Sequence, residues 1–237
     1  MPSKLGPRII VALDVSTQDD ALALASHLDP RLCRVKVGKE LFVRTGPRVI
    51  EALQNRGFSI FLDLKFHDIP NTVAGACRAA AALEVWMVNV HASGGRGMME
   101  AAREAVDAST ARPLLTAVTV LTSLDAADLD AIGLSSSLED HVVNLARLAE
   151  QAGLDGVVCS PKELEGLKGN VADAFLRVTP GIRPADSAQG DQKRFMTAAK
   201  AMSLGAHYLV IGRPITAAPD PAKALDEIVS EINANAS

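Results

Sequence analysis

The sequence predicts an α/β fold, a single (β/α)8 TIM barrel occupying residues 1–237, and three observations carry that expectation. Eight short runs rich in β-branched and aliphatic residues recur along the chain, Ala- and Leu-rich stretches with helical spacing separate them, and one composition regime persists throughout. With 237 residues and 48% hydrophobic content the chain can bury one large core, and single α/β barrels run to this length. An open doubly wound sheet is the alternative. It lacks support, because "ALDVSTQDD" stands where a G-x-G-x-x-G turn would follow the first strand.

The elements follow in order. "RIIVALD" (8–14) closes on Asp14, and Asp19 and Asp20 then open a helix in "DDALALASHL", where carboxylates favour the dipole. In "CRVKVG" (33–38) the period of two turns Val35 and Val37 toward the helices and Lys36 into the barrel. "SIFLDLK" (59–65) runs on into "FHDIP", so Leu62, Leu64 and Phe66 share one face while Asp63 and Lys65 point together from the other. "TVAGACRAAAAL" has helical spacing, and "VWMVNVHA" (85–92) is the fourth strand, with Trp86 read as core and His91 at its end. "LLTAVTVLT" (114–122) ends on Thr122 and precedes the helical "EDHVVNLARLAEQA". "GVVCS" (156–160) ends on Ser160, which has no base at a recognisable spacing and is not read as a nucleophile. "FLRVTPG" (175–181), the helical "QKRFMTAAKAMSLG" (192–205) and "YLVIGRP" (208–214) complete the set. "GLSSS" (133–137) and "PADSAQGDQ" (184–192) read as the mobile loops.

Composition narrows the function. A net charge of −4 offers no basic footprint for nucleic acid. Cys33, Cys77 and Cys159 are odd in number and lack metal-ligand spacing, which predicts buried, reduced thiols. "MPSKLGPRII" has no signal-peptide run and no later stretch is apolar enough to span a membrane, so a soluble, cytoplasmic protein is expected.

Active sites of such barrels collect at the C-terminal strand ends, where Asp14, Lys36, Asp63 and Lys65 all fall. A buried lysine needs carboxylates around it, so this set is coherent either as an ion-pair network closing the mouth or as a fixed ammonium donor. The second arrangement suits stabilising a carbanion and then protonating it, with no electron-sink cofactor. "TPGIRP" (179–184) and "VIGRPI" (210–215) end the seventh and eighth strands, the usual phosphate locus. Gly212 allows close backbone approach and Arg213 suits bidentate phosphate contact, while Arg183 is a second ligand or a solvated loop charge. A phosphorylated, anionic small molecule follows from these cations.

"FLDLKFHDIPNTV" resembles the D-x-K-x-x-D-I-x-N-T signature of the orotidine 5'-phosphate decarboxylase family, whose reaction ends de novo pyrimidine synthesis. "VALDV", "VKVGKELF", "NVHASGG", "TVLTS", "TPGIRP", "GDQKR" and "VIGRP" are similar to its other blocks, in order, over nearly the whole chain. Related barrels that process sugar phosphates, including a metal-dependent decarboxylase of 3-keto-gulonate 6-phosphate, share D-x-K-x-x-D. They are not expected to carry Lys36 together with "IPNT" and "GDQKR".

The resemblance implies decarboxylation of orotidine 5'-monophosphate to uridine 5'-monophosphate without cofactor or metal. Asp14 and Lys36 then hold ribose hydroxyls, with Lys36 also paired to Asp63; Lys65 protonates C6, and Asp63 lies beside the departing carboxylate and holds Lys65 in place. Whether Asp63 also repels that carboxylate stays open. Asp68, Ile69 and Thr72 reach into the partner's site of a homodimer with shared active sites. Thr122 and Pro180 contact the base, and Arg183, Gln192, Gly212 and Arg213 grip the phosphate, the "GDQ" block selecting Gln192 over Gln189. His67 and His91 read as supports for a loop or strand end. A metal-dependent sugar-phosphate lyase and a non-catalytic nucleotide-binding barrel are the rival readings.

Overall fold

The structure, a computed structural model, describes residues 6–134, 136–183 and 196–234. Its strands are β1 (Ile9–Ala12), β2 (Cys33–Gly38), β3 (Ile60–Phe66), β4 (Met87–His91), β5 (Leu114–Val118), β6 (Gly156–Val158), β7 (Leu176–Thr179) and β8 (Tyr208–Ile211). They close in chain order into one parallel barrel, β8 returning to β1 with Ile9 opposite Leu209. The predicted (β/α)8 barrel is thus the fold. The longer helices around it include α1 (Gln18–Ala25), α2 (Lys39–Thr45), α3 (Arg48–Gln54), α4 (Pro70–Ala82) and α5 (Arg96–Asp107). After these come α6 (Ala126–Ala131), α7 (Leu138–Gln151), α8 (Leu164–Leu167), α9 (Ala198–Ser203), α10 (Arg213–Thr216) and α11 (Pro221–Ala234).

Strand alternation divides the core in two. Ile9, Val11, Val35, Val37, Leu62 and Val88 face outward and pack under the helices. Ile10, Ala12, Phe61, Met87, Val178 and Val210 face inward and fill the lower barrel. Apart from Ala12, each such side chain, fully buried, contributes roughly 1.5–3 kcal/mol. The N-terminal end is closed by Trp86 and Tyr208, edge to face with ring centroids 5.0 Å apart, and by the Arg34 guanidinium 4.0 Å from the Trp86 ring centroid. Trp86, read as core, is only partly buried there.

Local chemistry sets the helix starts. The Thr17 side chain accepts the Asp20 N–H, with Asp19 and Asp20 in the first turn of α1 as expected. Pro70 occupies the first turn of α4, where its missing N–H costs nothing, and Val73, Cys77 and Ala80 form its buried stripe.

Several boundaries differ from the sequence reading. Asp14 lies beyond β1, which stops at Ala12, and Thr122 lies four residues beyond β5, which stops at Val118. The helix expected over 192–205 begins only at Ala198, because Met196 bridges to Ile182 and the Thr197 side chain caps the first turn. The loop predicted at 184–192 lies outside the described residues. All three cysteines are buried and free, and burial pushes the Cys33 and Cys77 thiols up to about 12. Among the described residues, no helix is long and apolar enough to cross a membrane.

Candidate active site

β2 and β3 deliver the charged centre. Alternation along β2 aims Lys36 into the barrel between two carboxylates: its Nζ donates to Asp14 Oδ1 at 2.9 Å and lies 3.3 Å from Asp63 Oδ2. Lys65 Nζ donates to Asp63 Oδ1 at 2.6 Å. The result is an alternating chain, Asp14, Lys36, Asp63, Lys65, that the sequence led one to expect.

Exposure grades along it. The Asp14 side chain is 68% exposed, Lys36 11%, Asp63 10% and Lys65 24%. Burial by itself drives the Lys36 ammonium down, but the charges of Asp63 and Asp14 outweigh it and hold the group above the ordinary lysine value. Burial likewise drives Asp63 up, and Lys36, Lys65 and hydrogen bonds from Lys65 and Asn89 hold it below the ordinary carboxyl value. Both groups therefore stay charged, Asp63 shared between two cations.

This centre lines a cavity of about 620 Å³ at the C-terminal mouth. A second arc of the wall, from the segments after β5, β7 and β8, brings in Thr122, Pro180, Arg183, Gly212 and Arg213. Phe61, Val118, Val158 and Val210 supply an apolar floor. The cavity thus joins a cation–carboxylate cluster, an apolar slot and the guanidinium groups of Arg183 after β7 and Arg213 at the start of α10, dimensions and chemistry suited to a small phosphorylated ring compound. Among the described residues, no group of three or more His, Cys, Asp or Glu side chains is arranged to hold a metal ion.

Some expected site residues are not in this cavity. Asp68, Ile69 and Thr72 are exposed and absent from its wall; the Asp68 carboxylate accepts the Ile69 N–H at 2.6 Å, and Ile69 is 67% exposed. Gln189 and Gln192 lie outside the described residues. Ser160 is a helix cap: its side chain accepts the Lys162 N–H, and its own N–H donates to Glu163 Oε2. The His67 and His91 rings stand 5.3 Å apart, and burial, then the charges of His67, Lys39 and Lys65, push His91 down to about 4.

Asn89 went unread. Fully buried in β4, its Nδ2 donates to Asp63 Oδ1 at 2.7 Å and its Oδ1 accepts the Lys65 N–H at 2.8 Å. Its signal was present in "NVHA", since Asn89 lies two residues before His91 and so shares its face of the strand.

Comparison with known proteins adds the following. A family model described as "Orotidine 5'-phosphate decarboxylase / HUMPS family" matches residues 7–228. A protein of Halorhodospira halophila named orotidine 5'-phosphate decarboxylase is 61% identical over 228 residues, covering 96% of this chain and 97% of that one. A Teredinibacter turnerae protein of the same name is 55% identical over 230 residues, covering 97% and 99%. The crystal structure of orotidine 5'-phosphate decarboxylase from Lactobacillus acidophilus superposes with a TM-score of 0.85 at 40% identity, covering 96% of this chain and 99% of that one.

Proposed function

Because the chain belongs to the orotidine 5'-phosphate decarboxylase / HUMPS family, we propose that it converts orotidine 5'-monophosphate to uridine 5'-monophosphate and carbon dioxide, the last step of de novo UMP synthesis. The alternating chain of Asp14, Lys36, Asp63 and Lys65 at the cavity mouth is the observation that carries this reading.

The C6–carboxylate bond breaks, carbon dioxide leaves, and the electron pair stays on C6. The ring delocalises that pair poorly, so the stabilising cation must be in place beforehand. Lys65 supplies the charge and then the proton, forming the new C6–H bond and leaving a neutral amine that solvent reprotonates. Asp63 holds Lys65 and Lys36 together, so the donor cannot swing away. Asp14 and Lys36 hold the ribose hydroxyls; Thr122 and Pro180 contact the base. Arg183, Gln192, Gly212 and Arg213 bind the phosphate, and that remote contact drives closure that expels water. The reaction uses neither metal nor organic cofactor.

The working unit is a homodimer with shared active sites, to which Asp68, Ile69 and Thr72 contribute across the two-fold axis. Their exposure outside their own chain's cavity supports this arrangement. The setting is cytoplasmic, with neither nucleic acid nor membrane as a partner. The test is an ultraviolet assay with orotidine 5'-monophosphate in the presence of a chelator. Undiminished loss of orotate absorbance is expected; activity abolished by the chelator and restored by a divalent ion would point to a sugar-phosphate lyase instead. Binding of uridine 5'-monophosphate without turnover would point to a non-catalytic barrel.

A further inference from the structure

Asn89 sits beside an irregularity in the barrel that its side chain mends. Leu62 pairs with Val88 and Phe66 with Val90, so four steps along β3 pass only two along β4. Within that excess Lys65 takes φ +52°, a left-handed conformation that L-residues rarely adopt. Such a bulge removes a backbone N–H from the ladder, and a buried donor needs another acceptor.

The Asn89 amide is that acceptor. It takes the Lys65 N–H on Oδ1 at 2.8 Å and, with its other end, donates to Asp63 Oδ1 at 2.7 Å. The reversed amide would set donor against donor and oxygen against carboxylate, so the pairing admits one orientation. Few side chains could replace it. A carboxylate accepts but cannot donate to Asp63, an aliphatic residue does neither, and glutamine is one methylene longer.

We propose that Asn89 is the positioning residue of the proton donor: it ties the bulged backbone of Lys65 and the Asp63 carboxylate to the two ends of one amide, and so fixes where Lys65 Nζ stands over the cavity. The inference rests on the reading above that Lys65 protonates C6. Asn89 touches no reacting atom and acts through Lys65. The charged and titratable groups around it are Asp63 and Lys65 on β3, Lys36 on β2 with its partner Asp14, and His91 on β4 itself. Its opposite number on β5 is Thr116, and β5 carries no titratable side chain.

The experiment compares wild type, Lys65→Ala, Asn89→Ala and Asn89→Asp by steady-state kinetics with orotidine 5'-monophosphate and by calorimetric binding of uridine 5'-monophosphate. Asn89→Ala is expected to lose about 100-fold in kcat, the scale of an ångström-sized misplacement, while nucleotide affinity shifts by less than about threefold. Asn89→Asp keeps the shape and the acceptor but loses the donor. Its kcat, low above neutral pH, should recover relative to wild type as acid protonates the introduced carboxyl and gives Asp63 a donor again.

Asn89→Ala turnover within about threefold of wild type, with Lys65→Ala inactive, would overturn the positioning role and leave the donor assignment intact. An active Lys65→Ala would instead sink the donor assignment. A nucleotide affinity lost in step with kcat would mean that Asn89 merely holds the fold. If Asn89→Ala fails to fold, the isosteric variant decides: a pH profile superimposable on that of wild type refutes the proposal.

Discussion

Lys65 and Asp68 stand three residues apart, yet Lys65 lines the cavity and Asp68 does not. Ile69, extended at φ −59°, ψ 153° ahead of Pro70, carries the chain out of the barrel and leaves Asp68 exposed. If Asp68 serves the partner's site, each site takes Lys65 from one chain and Asp68 from the other. Lys65→Ala and Asp68→Asn homodimers are then damaged at every site. A mixed dimer collects both lesions at one site and neither at the other. When a fraction p of the chains carries Lys65→Ala, random pairing makes 2p(1−p) of the dimers mixed, and p(1−p) of all sites intact. That function is zero at both ends and peaks at about a quarter of the sites for an equal mixture. The assay is co-refolding of the two inactive proteins across a series of ratios, followed by turnover measurements and a check of subunit exchange with differently tagged chains. A parabola reaching about a quarter of wild-type activity is expected. Activity that stays at the parental level at every ratio, with exchange demonstrated, would place Asp68 in the service of its own chain.

Lys65→Ala should nearly abolish kcat while uridine 5'-monophosphate still binds; Lys36→Ala, which on the proposed reading loses a ribose contact but keeps the donor, should lose less, as single-turnover kinetics will read. Arg213→Ala and Gln192→Ala should raise KM and lower kcat/KM, and the loss should shrink on a substrate truncated at the phosphate; equal fractional losses on both substrates would remove these residues from the phosphate site. Asp63→Asn leaves two inward-facing ammonium groups without their shared anion, a change on the scale of about 3–5 kcal/mol for a broken buried pair. Because the folded-state carboxyl lies below its ordinary value, the stability it contributes is present above that value and lost as pH falls through the folded one. The melting-temperature gap between wild type and Asp63→Asn should accordingly hold steady from about pH 5 upward and close below about pH 4, whereas a gap independent of pH would mean the charge is not what the fold uses.

The barrel was legible because its signals are local and repeated. A period of two in "CRVKVG" sends Lys36 inward whatever the neighbouring strands do, and a buried lysine demands the carboxylates that Asp14 and Asp63 provide. The bulge at Lys65 was not legible. It is a mismatch between the registers of β3 and β4, and neither strand alone contains it. Asn89 escaped for the same reason, since its task exists only where that mismatch strands an N–H. The early end of β5 reflects what neighbouring strands offer: β6 pairs with it only as far as Val118, so the apolar run on to Val120 could not show where pairing stops. Asp68 poses a third kind of problem: it stands past the end of β3, exposed and outside its own chain's cavity, where strand alternation no longer says which way a side chain points.

The closure of the barrel floor by Trp86, Arg34 and Tyr208 has an optical consequence. Trp86 and Tyr208 are the sole tryptophan and tyrosine of the chain. Both stand at the N-terminal rim, with the length of a strand, about 15 Å, between them and the mouth of the cavity. Emission from this protein therefore originates at one place, in a ring stacked on a guanidinium 4.0 Å away. Trp86 is not part of the cavity wall, so a ligand there does not contact that ring, whereas parting of β2, β4 and β8 exposes its buried part to water. Ultraviolet-excited emission is thus a built-in gauge of packing at the barrel's N-terminal end.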